Sequence, residues 1–117
     1  MAADVTKIEE GKNVIDLSIQ EFNTIHILHN NVGIGGAGTV VDVNPVDWDE
    51  IMSVNVKSMM LTGKYSVPAM ASGGGGVIVN ISSISAIRPR GLTSYTVSKS
   101  GVIALTKAMA VDHAADG

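Results

Sequence analysis

The sequence predicts an α/β fold in which helices alternate with the strands of a doubly wound parallel sheet. Two short apolar runs, Ile25 to His29 and Val77 to Ile81, have the length of buried strands. Helical patterns lie before, between and after them, which gives the order helix, strand, helix, strand, helix. A strand–helix–strand connection of this length implies parallel strands joined by a right-handed crossover. We therefore expect helices on both faces of the sheet.

The first helix is predicted to run from about Thr6 to residue 22. Thr6-Lys7-Ile8-Glu9 has the pattern of a capping box, in which two side chains bond to free backbone N–H groups. Asn23 tolerates the left-handed conformation that commonly ends a helix. Ala2 to Val5 are too few to assign alone, although they fit the stub of a strand. One helical face is mostly apolar and consists of Ile8, Lys12, Ile15, Ile19 and Phe22.

The second helix begins with a strong start pattern. Asn44 as a cap with Pro45 at the first helical position predicts a helix that continues to about Ala71. Gly63 and Pro68 disfavour the second half of this helix, because proline interrupts backbone pairing.

The glycine-rich segment Gly33 to Gly38 spells G-x-G-x-x-G directly after the first strand. In a dinucleotide fingerprint a helix must open on these glycines, so that its N–H groups meet the pyrophosphate. Here Thr39 to Val43 intervene before the helix that begins at Pro45. We interpret the segment as a flexible turn, and Gly73 to Gly76 as a loose connection.

Composition excludes several classes of function. With 117 residues the chain is one domain or less, and 45% hydrophobic with 16% charged residues indicates a globular protein. A net charge of −3 without a basic stripe argues against a nucleic-acid partner. No apolar run reaches the length of a membrane span, and none resembles a signal peptide. The absence of cysteine excludes thiolate metal sites and disulfides and suits a cytoplasmic protein. His26 and His29 point to opposite faces of a strand, so we predict no metal site.

Tyr95 and Lys99 carry the clearest chemical pattern. The last helix is predicted from about Ser94 to Ala114, with Thr93 or Ser94 as its cap, so both side chains lie on one face, one turn apart. A free phenol ionises only near pH 10, and a fixed cation nearby favours the phenolate. Such a pair can act as a general acid or base toward an alcohol or a carbonyl group.

A pair of hydroxyls, Ser82 and Ser83, ends the strand that precedes this helix. Either serine could hold a carbonyl oxygen that gains negative charge during a reaction. Combined with Tyr95 and Lys99, such a serine gives the chemistry needed to move a hydride to or from a carbonyl.

The order strand, Ser-Ser, loop and Tyr-x-x-x-Lys at a helix start resembles the short-chain dehydrogenase/reductase family. Asn30-Asn31-Val32-Gly33 resembles that family's Asn-Asn-Ala-Gly segment, with valine in place of alanine. Val54-Asn55-Val56-Lys57 resembles the segment of its fourth catalytic residue, and Asp4-Val5-Thr6 resembles the end of its third strand. Four motifs in the same order make the resemblance specific, and it extends over essentially the whole chain.

The resemblance implies a catalytic role for four residues. Tyr95 would exchange a proton with the substrate, and Lys99 would support the phenolate and hydrogen-bond the nicotinamide ribose. Ser83 would polarise the carbonyl, because the second serine of the pair usually has this role; the loop to Tyr95 is one residue shorter than is common, which leaves Ser82 as the alternative. Asn55 would distort its helix and hold a water of the proton relay; an exposed polar position is the alternative, and the neighbouring motifs favour the first interpretation.

The resemblance also implies a cofactor, NAD or NADP, and a small-molecule alcohol or carbonyl substrate such as a 3-oxoacyl compound, a sugar or a polyol. Asn30, Asn31 and Gly33 would line the cofactor together with Tyr95 and Lys99, and Asp4 and Val5 would lie near its adenine. The two long helices are those that family members pack into homodimers and tetramers.

The resemblance covers only the middle of a family domain. The phosphate-binding glycine loop and the substrate-covering C-terminal region of the family have no counterpart in residues 1–117, which predicts a single partial Rossmann-like NAD(P)-binding domain. We expect this chain alone to be inactive. The alternative is a non-catalytic piece that acts by pairing its helices or its open sheet with a partner.

Overall fold

A computed structural model describes residues 2–117 and contains the predicted order of elements. Helix α1 is followed by strand β1, a long interrupted helix, strand β2 and the last helix. Two single 3₁₀ turns, Ile84–Ala86 and Ala114–Asp116, lie on either side of the last helix. The bounds are α1 Ile8–Phe22, β1 Ile27–Asn30, α2 Pro45–Met52, a π-helical segment Ser53–Lys57, α3 Ser58–Ser72, β2 Val77–Asn80 and α4 Thr93–Asp112.

The two strands pair in parallel, as the crossover predicts. Their register joins Ile27 to Val77 at one end and Asn30 to Asn80 at the other. Both strands therefore deliver their following loops to the same edge of the sheet. The Asn31 to Gly33 segment and the serine pair both lie at this edge. The parallel pairing confirms the predicted α/β fold.

One face of the sheet is exposed, which differs from the expectation of helices on both faces. Ile27 and Val77, paired on this face, are 69% and 57% exposed. The opposite face packs against α3 and α4. Right-handed connections that cross a sheet in one direction place their helices on one face, and only a reversal of strand order covers the other. Two strands contain no such reversal.

The start of α1 differs from the predicted capping box. The Thr6 hydroxyl donates to Asp4 Oδ1 at 2.6 Å and is therefore not used as a cap; Lys7 is the N-cap and makes no side-chain bond there. Asp4 lies in a turn and forms no strand with Ala2 and Ala3. At the other end Asn23 adopts φ 66°, which confirms the left-handed stop.

The second helix begins as predicted, because Asn44 Oδ1 accepts a hydrogen bond from the Val46 N–H at 2.9 Å and Pro45 occupies the first position. After the π-helical segment, α3 continues through Pro68 to Ser72. Pro68 and Lys64, four residues earlier, are both exposed, so water can satisfy the carbonyl that proline leaves unpaired.

Neither Thr93 nor Ser94 caps α4, so that prediction was wrong. Leu92 is the N-cap and has no side-chain bond to the helix. Instead the Thr93 N–H donates to the Gly38 carbonyl at 3.0 Å, and Gly38 and Leu92 form an isolated bridge. The backbone of the glycine-rich loop therefore replaces the side-chain cap.

The core between the helices is small and aliphatic. Helix α1 packs along α3, and α4 packs on the π-helical segment. Among the described residues no helix has the length and apolarity to cross a membrane. The buried apolar side chains are Ile15, Ile51, Met59, Leu61, Met70 and Val102.

Candidate active site

Tyr95 and Lys99 lie one turn apart on α4, as the spacing predicts. The Lys99 ammonium is 5.9 Å from the centroid of the Tyr95 ring. It also donates to the Ile81 carbonyl at 2.9 Å, just beyond the end of β2. This bond holds the lysine against the edge of the sheet where the serine pair begins.

Lys99 is a buried cation with few partners. Its residue is only 3% exposed, and it takes part in none of the ion pairs found within residues 2–117. An ammonium group has three donors, and a buried charge is costly unless its donors are satisfied. The Ile81 carbonyl accepts from one of these donors, and the other two have no acceptor among the described residues.

The two serines have different hydrogen bonds. The Ser82 hydroxyl donates its proton to the Lys99 carbonyl at 2.7 Å, so it fastens the loop to α4. The Ser83 hydroxyl accepts from the Ser85 N–H at 3.2 Å and caps the short 3₁₀ turn. Ser83 therefore keeps its own proton for donation, whereas Ser82 has committed its proton.

Asn55 is fully buried in the π-helical segment, with 0% exposure. The exposed polar position was therefore the wrong alternative. Its Oδ1 accepts from the Ile34 N–H at 2.8 Å, and its Nδ2 donates to the Ile34 carbonyl at 2.9 Å. The side-chain amide thus makes two hydrogen bonds to the backbone of Ile34, as a residue of a neighbouring strand does. A second Nδ2 proton goes to Ser98 Oγ at 2.9 Å.

Gly33 lies where Asn55 and Lys99 approach each other. A Cβ atom at this position would lie 3.2 Å from Asn55 Oδ1 and 3.2 Å from Lys99 Nζ. Such distances are tight for any side chain, so glycine lets the backbone pass both polar groups closely. Asn31 and Gly33 are exposed, which leaves this stretch of the loop open to a ligand.

Asn30 has a different environment from Asn31. Its side chain is buried, donates to Asn80 Oδ1 at 2.8 Å and accepts from the Thr62 hydroxyl at 2.9 Å. Asn80 in turn donates to Thr106 Oγ1 at 3.0 Å. The Asn30 amide thus joins the two strands to α3 directly and to α4 through Asn80. The exposed part of the loop consists of the residues that follow it, Asn31 to Gly33.

Asp4 and Val5 lie in the turn before α1. Asp4 is bound locally: its carboxylate accepts from the Thr6 N–H and hydroxyl, and its own N–H donates to Glu10. The Thr6 hydroxyl, followed by the Thr6 N–H, holds the pKa of the Asp4 carboxyl below its ordinary value of 3.8. The carboxylate is therefore ionised at neutral pH.

The glycine-rich segment opens no helix. Residues 31–37 have no regular structure, and α2 begins only at Pro45. This confirms that G-x-G-x-x-G is not the start of a phosphate-binding helix here. Gly38, at φ 98°, instead turns the chain toward Leu92.

Sequence reasoning missed Ser98 and the buried amide network. Ser98 has 0% exposure and joins Asn55 to α4. In the sequence Ser98 looks like an ordinary helical serine, whose hydroxyl donates to a backbone carbonyl in the preceding turn. No spacing rule reveals that its second partner comes from another helix.

Comparison with known proteins assigns the family. The sequence model of the short chain dehydrogenases matches residues 1–117. A 2-(R)-hydroxypropyl-CoM dehydrogenase of Xanthobacter autotrophicus is 40% identical over 120 residues, which cover 98% of this chain and 48% of that protein.

Solved structures agree in fold. The NAD⁺-bound xylitol dehydrogenase superposes with a TM-score of 0.95 at 29% identity, over 100% of this chain and 46% of that one. The ligand-free aldohexose dehydrogenase of Thermoplasma acidophilum gives 0.90 at 34% identity, over 96% and 44%. The chain thus spans less than half the length of these relatives. Its fold is part of their Rossmann fold, and the chain belongs to the short-chain dehydrogenase family.

Proposed function

We propose that the complete domain containing this chain is an NAD(P)-dependent oxidoreductase that moves a hydride between nicotinamide and an alcohol or ketone. The observation that carries this proposal is the buried Lys99 ammonium, which lies beside the Tyr95 ring and beside Gly33. The substrate is a small molecule of the 3-oxoacyl, sugar or polyol class. The names of relatives such as 2-dehydro-3-deoxy-D-gluconate 5-dehydrogenase of Escherichia coli support this class.

Tyr95 is the proton donor in carbonyl reduction and the acceptor in alcohol oxidation. Its hydroxyl gives a proton to the substrate oxygen, and the Lys99 ammonium stabilises the phenolate that remains. Ser83 donates a second hydrogen bond to the same oxygen and favours the charge that develops on it. Its bonding supports this choice over Ser82, because no described residue accepts the Ser83 proton, whereas the Lys99 carbonyl accepts that of Ser82.

The described residues fit a nicotinamide nucleotide at the open edge of the sheet. The exposed backbone at Asn31 and Gly33 can lie along the cofactor, and the two remaining donors of Lys99 suit ribose hydroxyls. When bound there, the nicotinamide supplies or accepts the hydride. Asp4 and Val5 are proposed to lie near adenine, as the ionised Asp4 carboxylate can accept a hydrogen bond.

Asn55 acts in the proton relay through its backbone. Both donors of its amide are already used within the chain, by Ile34 and Ser98. A relay water therefore binds the Asn55 backbone and not the donors of its amide. The amide keeps that segment in place.

The complete protein is proposed to form homodimers or tetramers through α2, α3 and α4. These helices present apolar side chains to solvent, including Val46 at 72% and Met60 at 40% exposure. The exposed sheet face at Ile27 and Val77 favours a second candidate function, association of this chain with a partner without catalysis.

Titration of the 117-residue chain with NADH and with NADPH tests whether it binds cofactor alone. We expect no saturable change in cofactor fluorescence, because no helix within residues 2–117 begins on a glycine loop that could hold the pyrophosphate. The complete domain is the positive control and should bind one of the two nucleotides. Saturable binding by the chain would overturn the expectation that it cannot hold the cofactor alone, and no binding by the complete domain would favour the partner-association function.

The serine pair provides a matched test of the proposed chemistry. In the complete domain, Ser83→Ala is expected to lower kcat about a hundredfold, the usual cost of losing one donor to a developing oxyanion. Ser82→Ala removes only a bond to the Lys99 carbonyl and is expected to lower kcat less than about fivefold. Steady-state kinetics with both variants decides between them. A larger loss in the Ser82 variant would transfer the catalytic role to Ser82.

A further inference from the structure

Ser98 lies between Tyr95 and Lys99 along α4, but its side chain bonds to Asn55 of the π-helical segment. Its side chain has 0% exposure, and its hydroxyl donates to the Tyr95 carbonyl at 2.8 Å. A hydroxyl has one proton, so with that proton committed the oxygen can only accept from any other neighbour. It accepts from Asn55 Nδ2 at 2.9 Å.

This arrangement fixes which way the Asn55 amide points. Nδ2 must face the Ser98 oxygen and the Ile34 carbonyl, and Oδ1 must face the Ile34 N–H. With the amide reversed, its oxygen would face two acceptors and its NH₂ group would face a donor. The Ile34 N–H and carbonyl set this orientation, and the Ser98 oxygen accepts the remaining amide proton, so all three bonds form in one orientation only.

The same bonds hold the loop that carries Gly33. Ile34 is clamped by Asn55, and its neighbour Gly33 passes close to the Lys99 ammonium. Gly38 lies four residues after Ile34, and its carbonyl accepts a hydrogen bond from the Thr93 N–H at the start of α4. The loop is thus fastened to α4 at two points, through Ser98 at one and directly at the other.

We infer that Ser98 is a positioning residue for the proposed hydride transfer: by holding the Asn55 amide it keeps the Gly33 loop, and so the cofactor side of the site, in register with Tyr95 and Lys99. The inference rests on the proposed function. Ser98 is fully buried and acts through Asn55, so it is not itself a catalytic residue.

Ser100 offers a matched control on the same helix. Its hydroxyl makes one hydrogen bond, to the Ala86 carbonyl at 3.1 Å, and none to Asn55. Ser98→Ala and Ser100→Ala each remove one hydroxyl from α4. Only the first leaves a buried amide proton of Asn55 without an acceptor.

Kinetics of the complete domain are the first measurement. Ser98→Ala is expected to lower kcat about tenfold, because small misplacement of reacting groups is costly, with KM for the substrate within about twofold. Ser100→Ala should stay within about twofold in both constants. Ser98→Thr keeps the hydroxyl and is expected to recover kcat to within about threefold of the unmodified domain. Equal kcat losses in the two alanine variants, or a Ser98→Ala effect on KM alone, would overturn the inference.

Amide hydrogen exchange in the complete domain provides a readout that needs no turnover. The Ile34 N–H, which donates to Asn55 Oδ1, should exchange about tenfold faster in Ser98→Ala than in Ser100→Ala. Equal protection in both variants would refute the positioning role. An unmodified domain without dehydrogenase activity would instead count against the proposed function, so the two failures are distinguishable.

Discussion

Tyr95→Phe in the complete domain is expected to lower kcat about a thousandfold while cofactor affinity changes little. The substitution removes one oxygen and leaves the ring beside the Lys99 ammonium. General acid–base catalysis by a positioned side chain contributes on the order of a hundredfold to ten-thousandfold. The other described phenol, Tyr65, belongs to α3 and lies beside Lys64. Stopped-flow measurement of nicotinamide absorbance separates the loss in the chemical step from effects on binding.

Tyr65→Phe is a close control for this variant. Lys64 Nζ lies 5.8 Å from the Tyr65 ring centroid, which nearly equals the distance in the Lys99 and Tyr95 pair. Lys64 is exposed, however, whereas Lys99 is buried, so water screens the first cation and not the second. We expect Tyr65→Phe to retain kcat within about twofold. Retention of kcat by Tyr95→Phe would refute the proposed role of the phenol.

The order of elements and the Tyr95–Lys99 pair could be predicted because both depend on local spacing. A four-residue separation on a helix sets a one-turn relation wherever that helix packs. Asn44 with Pro45 marks a helix start for the same reason, since the cap bonds within its own turn. These features require no knowledge of distant residues.

Features that depend on distant residues were not predictable from one sequence. Thr93 could have capped α4, but the Gly38 carbonyl from another loop takes that place. Asn30 and Asn31 are neighbours of the same type, yet Asn30, the last residue of β1, lies in the buried network, whereas Asn31 follows the strand and is exposed. Which of two alternating positions faces inward depends on the helices that cover the sheet.

Asn55→Ala is expected to destabilise the 117-residue chain by about 3 kcal/mol. The substitution leaves the Ile34 N–H and carbonyl without their partners, and each unsatisfied group costs about 1–3 kcal/mol where water is restricted. Alanine is the better helix former by roughly 0.6 kcal/mol, which offsets a small part of the loss. Urea unfolding followed by far-UV circular dichroism measures the difference from the shift in midpoint.

Asn13→Ala isolates the effect of helix propensity. Asn13 is an exposed asparagine in the middle of α1, so the same substitution there removes no buried bond. We expect it to stabilise the chain by a few tenths of a kcal/mol, to about 0.6 kcal/mol at most. The two variants make the same substitution and differ only in the tertiary contacts that are lost. The difference between their changes in the free energy of unfolding therefore measures the two hydrogen bonds that clamp Ile34. Equal effects at both positions would show that the clamp contributes no stability.

The same variant connects stability with catalysis. Loss of the Asn55 amide frees Ile34 and, with it, the Gly33 backbone that lies against the Lys99 ammonium. The π-helical segment, which ordinarily costs energy relative to an α-helix, then loses the bonds that compensate for it. We therefore expect both variants to lower kcat, and Asn55→Ala to lower the free energy of unfolding more than Ser98→Ala, because the first leaves two Ile34 groups unpaired and the second leaves one amide proton unpaired. An Asn55→Ala variant that is less stable but fully active would show that the Asn55–Ile34 hydrogen bonds do not contribute to catalysis.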